Sequence, residues 1–281
     1  MSTLAERHQE LLGLEALQFV TSTFFELSAE KIGRLRREFE KNRKFFEEVS
    51  GLYEAVRRAA AKAKGEHGST ARGRSVAVAF TSNAHFYGSV NADVVRALVD
   101  HIAQAPEEEI LVIGNTGKSF MEGYGLHGRA GEFFSFAGDD PTREEIRQFL
   151  DRVAPYEHVR VFHPSFVNVF TQTVGELDIT HAPPEYGQRD EALGAVDYIF
   201  EPELSRILSF FETRVRYLLF RRTMLEAELA RTAARLLSMN QAEDRADKSL
   251  AALQHRVRHE AEAFKDARLL ETFSGLVKFR K

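Results

Sequence analysis

The chain of 281 residues contains neither cysteine nor tryptophan. The missing cysteine excludes disulfide bonds, thiolate metal ligands and cysteine nucleophiles, and it fits a reducing compartment. No run approaches the ~18 consecutive apolar residues that a membrane-spanning helix needs, so the sequence predicts no direct insertion into a membrane. The net charge of -4 gives no overall electrostatic basis for binding nucleic acid.

Proline and glycine are absent from long stretches. No proline precedes Pro106, and neither residue occurs from Glu203 to Ser274. Because both residues disfavour helix interiors, the two ends of the chain are predicted to be long helices, and the middle a compact mixed domain. The predicted boundaries are 1–65 for the first helical segment, 66–202 for the domain and 203–281 for the second helical segment.

The C-terminal segment carries a sustained 3.5-residue repeat. Steps alternating four and three from Phe211 to Phe264 define sixteen positions, of which twelve are apolar. Such a repeat is typical of a left-handed coiled coil. From Leu204 to Ser274 the helix would be roughly 105 Å long at ~1.5 Å per residue, so most of it must be covered outside a globular core.

The N-terminal segment is the natural partner of this helix. Its apolar positions form one seam that slips by one residue near Gly33. The seam comprises Leu17, Val20, Phe24 and Leu27, and then Ile32, Leu35, Phe39, Phe46, Val49, Tyr53 and Val56. Two helices from opposite ends of the chain, separated by a domain, are expected to pack as a long antiparallel two-helix coiled coil.

The middle of the chain alternates between strand and helix patterns. SVAVAFT (75–81) and ILVIG (110–114) are predicted strands, and 158–180 holds one or two more. Asn91 is a candidate N-cap for the helix that follows it, and Pro141 is placed near the start of another. The fold class is therefore α/β, with a small Rossmann-like domain whose sheet is largely parallel.

The string ILVIGNTGKSF (110–120) looks like a strand entering a phosphate-binding loop. Such a loop needs a glycine five residues before Gly117, and that position holds Val112. We therefore predict a strand that ends in a polar turn, with Lys118 in solvent. No nucleotide, cofactor or metal site is expected in this chain.

Other candidate sites are equally incomplete. His255 and His259 share a helix face, but no third zinc ligand is evident. Serine, histidine and aspartate occur without a G-x-S-x-G elbow. The basic stretches 34–44 and 214–222 could meet nucleic acid, although acidic residues interrupt the first, and solvated or partner-facing helix surfaces are favoured.

Several strings resemble the gamma subunit of F-type ATP synthases, over nearly the whole chain. SNAHFYGSVN (82–91) stands where that family has a glycine-rich turn, and SFVNVFTQ (165–172) resembles one of its strands. DYIFEP (197–202) and AARLLSM (233–239) are similar to family strings at the same places. In VTSTFFELSAEKIGR (20–34), Thr21, Ala29 and Lys31 are in register with the family.

This resemblance implies a rotor shaft that turns inside the alpha–beta hexamer and couples ion flow through the membrane c-ring to ATP chemistry. ATP and magnesium would then bind the alpha and beta subunits. The implied contacts with the hexamer are Lys31, Glu262 and Asp266, and those with the c-ring are Tyr198, Phe200 and Glu201. The resemblance also implies an epsilon subunit as a partner and a peripheral location on the cytoplasmic face of the inner membrane.

The sequence departs from the family at one important place. The family carries an Arg-Gln pair and a Thr that bind a loop of beta, and the matching positions here are Ala261, Glu262 and Asp266. If that loop is acidic, like charges would repel. Two alternatives stay open: a gamma-like paralogue that regulates or assembles the complex, and an unrelated coiled-coil scaffold or nucleic-acid clamp.

Overall fold

The computed structural model describes residues 4–64, 73–125, 130–180 and 204–278. Within them the helices are α1 (Leu4–Lys64), α2 (Val90–Gln104), α3 (Asn115–Gly123), α4 (Arg143–Val153) and α5 (Leu204–Lys278). The strands are β1 (Ser75–Phe80), β2 (Glu109–Ile113), β3 (Ala130–Phe134), β4 (His158–Phe166) and β5 (Gln172–Asp178). In this part of the chain no helix is both long and apolar enough to traverse a bilayer.

The chain divides into two compact units. Residues 28–235 form the first, which we call the sheet unit. Residues 1–27 together with 236–281 form the second, which we call the terminal unit. The mixed α/β class with long N- and C-terminal helices, predicted from the sequence, is confirmed.

The sheet unit is built on five strands in the order β3-β2-β1-β4-β5. β1 pairs in parallel with both β2 and β4, and β2 pairs in parallel with β3. β4 and β5 form an antiparallel hairpin, so the predicted region 158–180 holds two strands. Because parallel neighbours need crossover connections, helices cover the faces of the sheet.

The strands β1 and β2 are buried on both faces. On one face Val78, Phe80 and Leu111 pack against α4 and against Phe220 and Met224 of α5. The opposite face packs mainly against α2 and is covered at Met121 by α3. A run of apolar residues without alternation, such as SVAVAF, is what two-sided burial requires.

In the sheet unit, α1 and α5 pack side by side and run antiparallel. Lys31 Nζ lies 2.6 Å from Glu228 Oε1, Arg222 stacks 6.0 Å from the Phe46 ring, and the Tyr53 and Phe211 rings are 6.5 Å apart. As the residue numbers increase along α1, the numbers of the residues contacted on α5 decrease, as in an antiparallel pair. Phe46 also belongs to a buried cluster with α5. The predicted antiparallel pairing is confirmed.

In the terminal unit the same two helices also run antiparallel. Arg7 Nη2 lies 2.8 Å from Glu260 Oε1, and Gln18 Nε2 donates to Asp247 Oδ1 at 2.6 Å. Along α5 the predicted seam is buried or half-buried from Phe211 to Glu260. Phe264, its last position, is 61% exposed.

In the first half of the predicted α1 seam, Phe24 is half-buried but the other three positions are wrong. Leu17, Val20 and Leu27 are about half exposed, whereas Thr21 and Ser28 are buried. The Thr21 hydroxyl donates to the Leu17 and Gln18 carbonyls, so it is satisfied within its own helix. A small hydroxyl side chain can therefore be buried at little cost in free energy. The spacing of apolar residues alone thus predicted the wrong face of α1 as the buried one.

Two local predictions, for Asn91 and for the residues after Ile113, need correction. The helix α2 has Ser89 as its N-cap, and Asn91 lies inside the helix. Pro141 precedes α4, whose N-cap is Thr142 in a capping box with Glu145. The residues after Ile113 form the helix α3, where a polar turn was predicted. β3 was not predicted.

Candidate functional site

The Gly-Lys-Ser string begins in the first turn of α3. The backbone amides of that turn already have hydrogen-bond partners. Asn115 N donates to Asn83 Oδ1 at 3.0 Å, Thr116 N to the Ser82 carbonyl at 3.0 Å, and Gly117 N to Thr81 Oγ1 at 2.9 Å. A phosphate would have to displace all three partners. Lys118 Nζ lies 5.5 Å from the centre of the Phe133 ring. The first backbone amides of α3 therefore have protein partners and are not free to bind an anion.

The glycines of this string are required by close packing. A Cβ on Gly117 would lie 2.5 Å from Thr81 Oγ1 and 2.8 Å from Val112 Cγ1. Gly114 has a φ of +96°, and its Cβ would lie 2.7 Å from the Thr81 carbonyl oxygen. Both glycines therefore serve the packing of the fold, which agrees with the rejection of a phosphate loop on glycine spacing.

The turn between β1 and α2 is firmly tied down. Asp139 accepts hydrogen bonds from Asn83 N and from the Tyr87 hydroxyl, both at 2.8 Å. Asn91 bridges to Ser82, whose hydroxyl accepts its amide at 2.8 Å. On this turn Phe86 is 60% exposed at a φ of +68°, a conformation that costs a bulky residue free energy. The rigid turn therefore displays one strained aromatic side chain.

Beneath this turn lies a fully buried cation, Arg231. Its guanidinium stacks 5.1 Å from the Phe80 ring centre, and its Nε and Nη1 atoms have no hydrogen-bond partner among the described residues. Burial lowers the pKa of Arg231, while the charges of Asp139 and Glu228 oppose that shift. The cation is held by surrounding charge as well as by the aromatic ring.

The same cluster shifts the pKa values of Tyr87 and Asp139. Burial, reinforced by Asp139, raises the pKa of Tyr87 to about 12. Burial alone would raise the pKa of Asp139, but the charge of Arg231 and the hydrogen bonds from Asn83 and Tyr87 hold it below its usual value. Asp139 therefore stays ionised and Tyr87 stays protonated at neutral pH. Sequence inspection missed this cluster, because its members lie far apart along the chain.

Lys31, expected to contact partner subunits, is engaged within the chain. Its ion pair with Glu228 joins α1 to α5 at 2.6 Å, with the Glu228 side chain 7% and the Lys31 side chain 31% exposed. The partly open lysine can still reach a neighbour, but its first partner is Glu228. A role for Lys31 in subunit contact stays a prediction.

Glu262 and Asp266 lie on α5 in the terminal unit, and both are exposed. They are four residues apart, so they share one helix face. Ala261 beside them is half-buried. Tyr198, Phe200 and Glu201, the other expected contact residues, lie outside the described residues. His255 and His259 are exposed, and no group of three or more metal-ligating side chains occurs among the described residues.

The terminal unit also exposes large apolar side chains on both of its helices. The exposed fractions are 72% for Phe19, 71% for Leu270 and 65% for Phe273. The full set, which we call the terminal apolar surface, is Leu12, Leu17, Phe19, Val20, Leu27, Phe264, Leu269, Leu270 and Phe273. So many large exposed apolar side chains on two paired helices favour coverage by a partner protein. The sequence signal for this exposed surface is the presence of apolar residues, such as Phe19, outside the repeat that pairs the two helices.

Comparison with known proteins places this geometry in a family. A family model described as ATP synthase matches residues 3–276. The ATP synthase gamma chain of Symbiobacterium thermophilum is 28% identical over 185 residues, covering 63% of this chain and 62% of that one. The gamma chain of Staphylococcus saprophyticus is 24% identical over 264 residues, covering 88% of both chains.

A solved structure shares the fold. The cryo-EM structure of the Tetrahymena thermophila mitochondrial ATP synthase central stalk and c-ring includes a chain that matches with a TM-score of 0.62 and 19% identity. The match covers 79% of this chain and 99% of that one. Since the family model spans both long helices and the sheet between them, this chain belongs to the ATP synthase family, among relatives that are gamma chains.

Proposed function

We propose that this chain is the central rotor shaft, the gamma subunit, of an F-type ATP synthase or ATPase. The observation that carries the proposal is the family match over residues 3–276, which includes α1, α5 and the sheet unit. The rotor would couple ion flow through a membrane c-ring to ATP synthesis or hydrolysis in an alpha–beta hexamer. The catalytic chemistry would belong to the hexamer.

The geometry of the terminal unit supports this role. Arg7–Glu260 and Gln18–Asp247 contacts join its two helices, while the terminal apolar surface stays open to solvent. An apolar surface lowers its free energy when another protein covers it. A rotating shaft in a hexamer would be covered in this way. Its asymmetric surface would bias the open–closed equilibrium of each beta subunit according to the rotor angle.

The partner contacts follow as finer parts of the proposal. Lys31, Glu262 and Asp266 would face the alpha–beta hexamer, and Tyr198, Phe200 and Glu201 would face the c-ring. Epsilon would bind the same rotor. The complex would place this chain at the cytoplasmic face of the inner membrane as a peripheral subunit.

A quantitative pull-down tests the proposed function. The chain is tagged at its N-terminus in its native cell, the membranes are solubilised gently, and the co-purified proteins are quantified by mass spectrometry. A rotor requires alpha, beta and this chain at about 3:3:1 with the c-ring present, a stoichiometry set by closed hexamer symmetry around one shaft. Recovery without alpha and beta would overturn the proposal.

A second candidate is a gamma-like paralogue that docks on the complex without rotating. The exposed carboxylates of Glu262 and Asp266 favour it, because they place negative charge where the family has neutral polar residues. In the same pull-down, substoichiometric recovery beside another gamma chain would select this candidate. Recovery at 3:3:1 with no other gamma chain would eliminate it.

A further inference from the structure

A pocket of about 310 Å³ lies between α4 and the first turns of α5, within the sheet unit. Its lining includes three arginines, Arg143, Arg147 and Arg214, and one carboxylate, Asp151. Phe210 and Tyr217 supply aromatic surface, and Phe210 is 66% exposed. We call this site the arginine pocket.

The charge of the arginine pocket is opposite in sign to that of the chain. Three guanidinium groups face one carboxylate, whereas the whole chain has a net charge of -4. Arg147 Nε lies 3.7 Å from Asp151 Oδ2, with both side chains more than 70% exposed, and Arg214 stacks 5.6 Å from the Tyr217 ring centre. Asp151 offsets one of the three positive charges, so the lining keeps an excess of two. The pocket thus combines excess positive charge with apolar surface.

The arginines and the aromatic surface beside them favour a peptide carboxylate as the occupant. Phosphate sites commonly use the free backbone amides of a helix N-terminus. At the start of α4 the Glu145 carboxylate already accepts from Thr142 N and Ala137 N at 2.8 and 2.7 Å. Those two backbone amides are therefore not free, and recognition falls to the arginine side chains, whose fork binds carboxylate and phosphate alike. The apolar surface of Phe210 and Tyr217 beside them fits the rest of an amino-acid side chain, which a free phosphate lacks.

We infer that the arginine pocket binds an acidic segment of another subunit of the complex, with a carboxylate beside an apolar side chain. The carboxylate contacts Arg143, Arg147 or Arg214, and the apolar side chain covers Phe210. A volume of about 310 Å³ is at the small end of ligand sites, and it suits one or two side chains. This inference rests on the proposed function.

Site-specific cross-linking tests the inference, because the chain contains no cysteine. Thr213, an exposed residue that lines the pocket, is replaced in Thr213→Cys and labelled with a cysteine-reactive photo-cross-linker. The intact complex is isolated and illuminated, and the adduct is sequenced. The expected adduct joins residue 213 to an Asp- or Glu-rich segment of a different subunit. Ser119→Cys, on the exposed surface of α3, is the position control.

Charge reversal supplies the matched control. Arg147→Glu should lower the cross-link yield about fivefold, the effect of losing one exposed ion pair worth about 1 kcal/mol. Arg96→Glu should leave the yield unchanged, because Arg96 is also an exposed helical arginine paired with an aspartate, but on α2. Raising the ionic strength from about 0.1 to about 1 M should weaken the cross-link as well, since the Debye length falls from ~10 to ~3 Å.

Each remaining outcome overturns the inference. An adduct with lipid would assign the pocket to a membrane headgroup, and an adduct with this chain alone would mean that the chain fills its own pocket. If alpha and beta co-purify but residue 213 forms no adduct, the inference fails while the proposed function stands. If no other subunit co-purifies, the proposed function fails too.

Discussion

At the scale of single residues, the turn after β1 depends on charge buried beneath it. Asp139 accepts from Asn83 and Tyr87 in the turn, and its negative charge stabilises the fully buried Arg231. Arg235 adds a hydrogen bond to the His85 carbonyl at 3.0 Å and stacks 4.1 Å from the Tyr87 ring. A buried cation without these partners would cost several kcal/mol. The cluster therefore fixes the turn that displays Phe86.

The glycines of α3 give a paired test. In Gly117→Ala the new Cβ would meet Thr81 Oγ1 at 2.5 Å, so the free energy of unfolding should fall by about 1–3 kcal/mol. Gly123→Ala, in the same helix with nothing within 4 Å, should be neutral or stabilise by up to ~1 kcal/mol. Urea unfolding of the full chain measures both. Equal effects would contradict the assignment of Gly117 to packing against Thr81.

The raised pKa of Tyr87 predicts a loss of stability in alkaline solution. The folded state holds the pKa of the Tyr87 phenol at about 12, whereas the unfolded chain has a pKa of about 10. The protonated phenol therefore stabilises the folded state fully below pH ~10, and this stabilisation is lost as the pH rises through 12. The loss should be on the order of 2 kcal/mol. Chemical unfolding of the wild type and of Tyr87→Phe between pH 9 and 12, with phenolate absorbance as a second probe, measures it. The free energy of unfolding of Tyr87→Phe should not show this decrease. Identical pH profiles for the two proteins would refute the raised pKa of Tyr87.

At the scale of elements, the pairing of α1 with α5 in the sheet unit combines an apolar cluster with one ion pair. Phe46, Val215 and Leu219 form a buried contact, and the Lys31–Glu228 pair lies along the same two helices. Glu228 also contributes to the field around Arg231. One carboxylate therefore links the helix pair to the charge cluster beneath the turn.

The Lys31–Glu228 pair should show coupling in a double-mutant cycle. Lys31→Met leaves the carboxylate of Glu228 buried without its nearest cation, and it should lower the free energy of unfolding by about 1–3 kcal/mol. Adding Glu228→Gln to Lys31→Met should recover part of that loss. Lys44→Met, an exposed lysine on the same helix, is the control and should stay within about 0.5 kcal/mol of the wild type. Strictly additive effects would argue against the ion pair.

On the exposed face of α5, Glu262 and Asp266 give a test of coupling to beta. Glu262→Gln with Asp266→Thr removes two charges that would repel an acidic loop, so coupling to a beta subunit with such a loop should rise about two- to fivefold. Torque and ATPase rate in the reconstituted complex measure the change. Glu262→Asp with Asp266→Glu keeps the charge and should keep the wild-type values. No response to the neutral pair would show that these residues are not the contact.

At the scale of the whole molecule, apolar surface is left open on the terminal unit. Phe19, Leu270 and Phe273 are more exposed than side chains of a self-sufficient domain need to be. Exposed apolar side chains lower solubility, and they suit a chain that works inside an assembly. The relatives named ATP synthase gamma chain agree with that role.

Above the dilute concentrations at which unfolding is measured, the isolated chain should therefore aggregate. Replacing Phe19 and Phe273 by serine should increase the monomeric fraction in light scattering, because less apolar surface meets water. The same variant should recover less alpha and beta in the pull-down. Phe170→Ser, at a residue 78% exposed in the β4–β5 turn of the sheet unit, is the position control and should leave the recovery of alpha and beta unchanged. A wild-type chain that stays monodisperse at high concentration would contradict this expectation.

The sequence determined by itself the features that depend on local periodicity. Periodicity predicted the α5 seam, the strands 75–81 and 110–114 and the mixed α/β class, because side-chain patterns along one element report which face is buried. Short strings predicted the family likeness. Only the tertiary structure decided which partners the polar side chains find and which of them are buried. Thr81, Asn91 and Arg231 find partners on other elements, and Thr21 and Ser28 are buried where Leu17 and Leu27 were expected. Such choices depend on contacts between residues far apart along the chain, which no local pattern encodes.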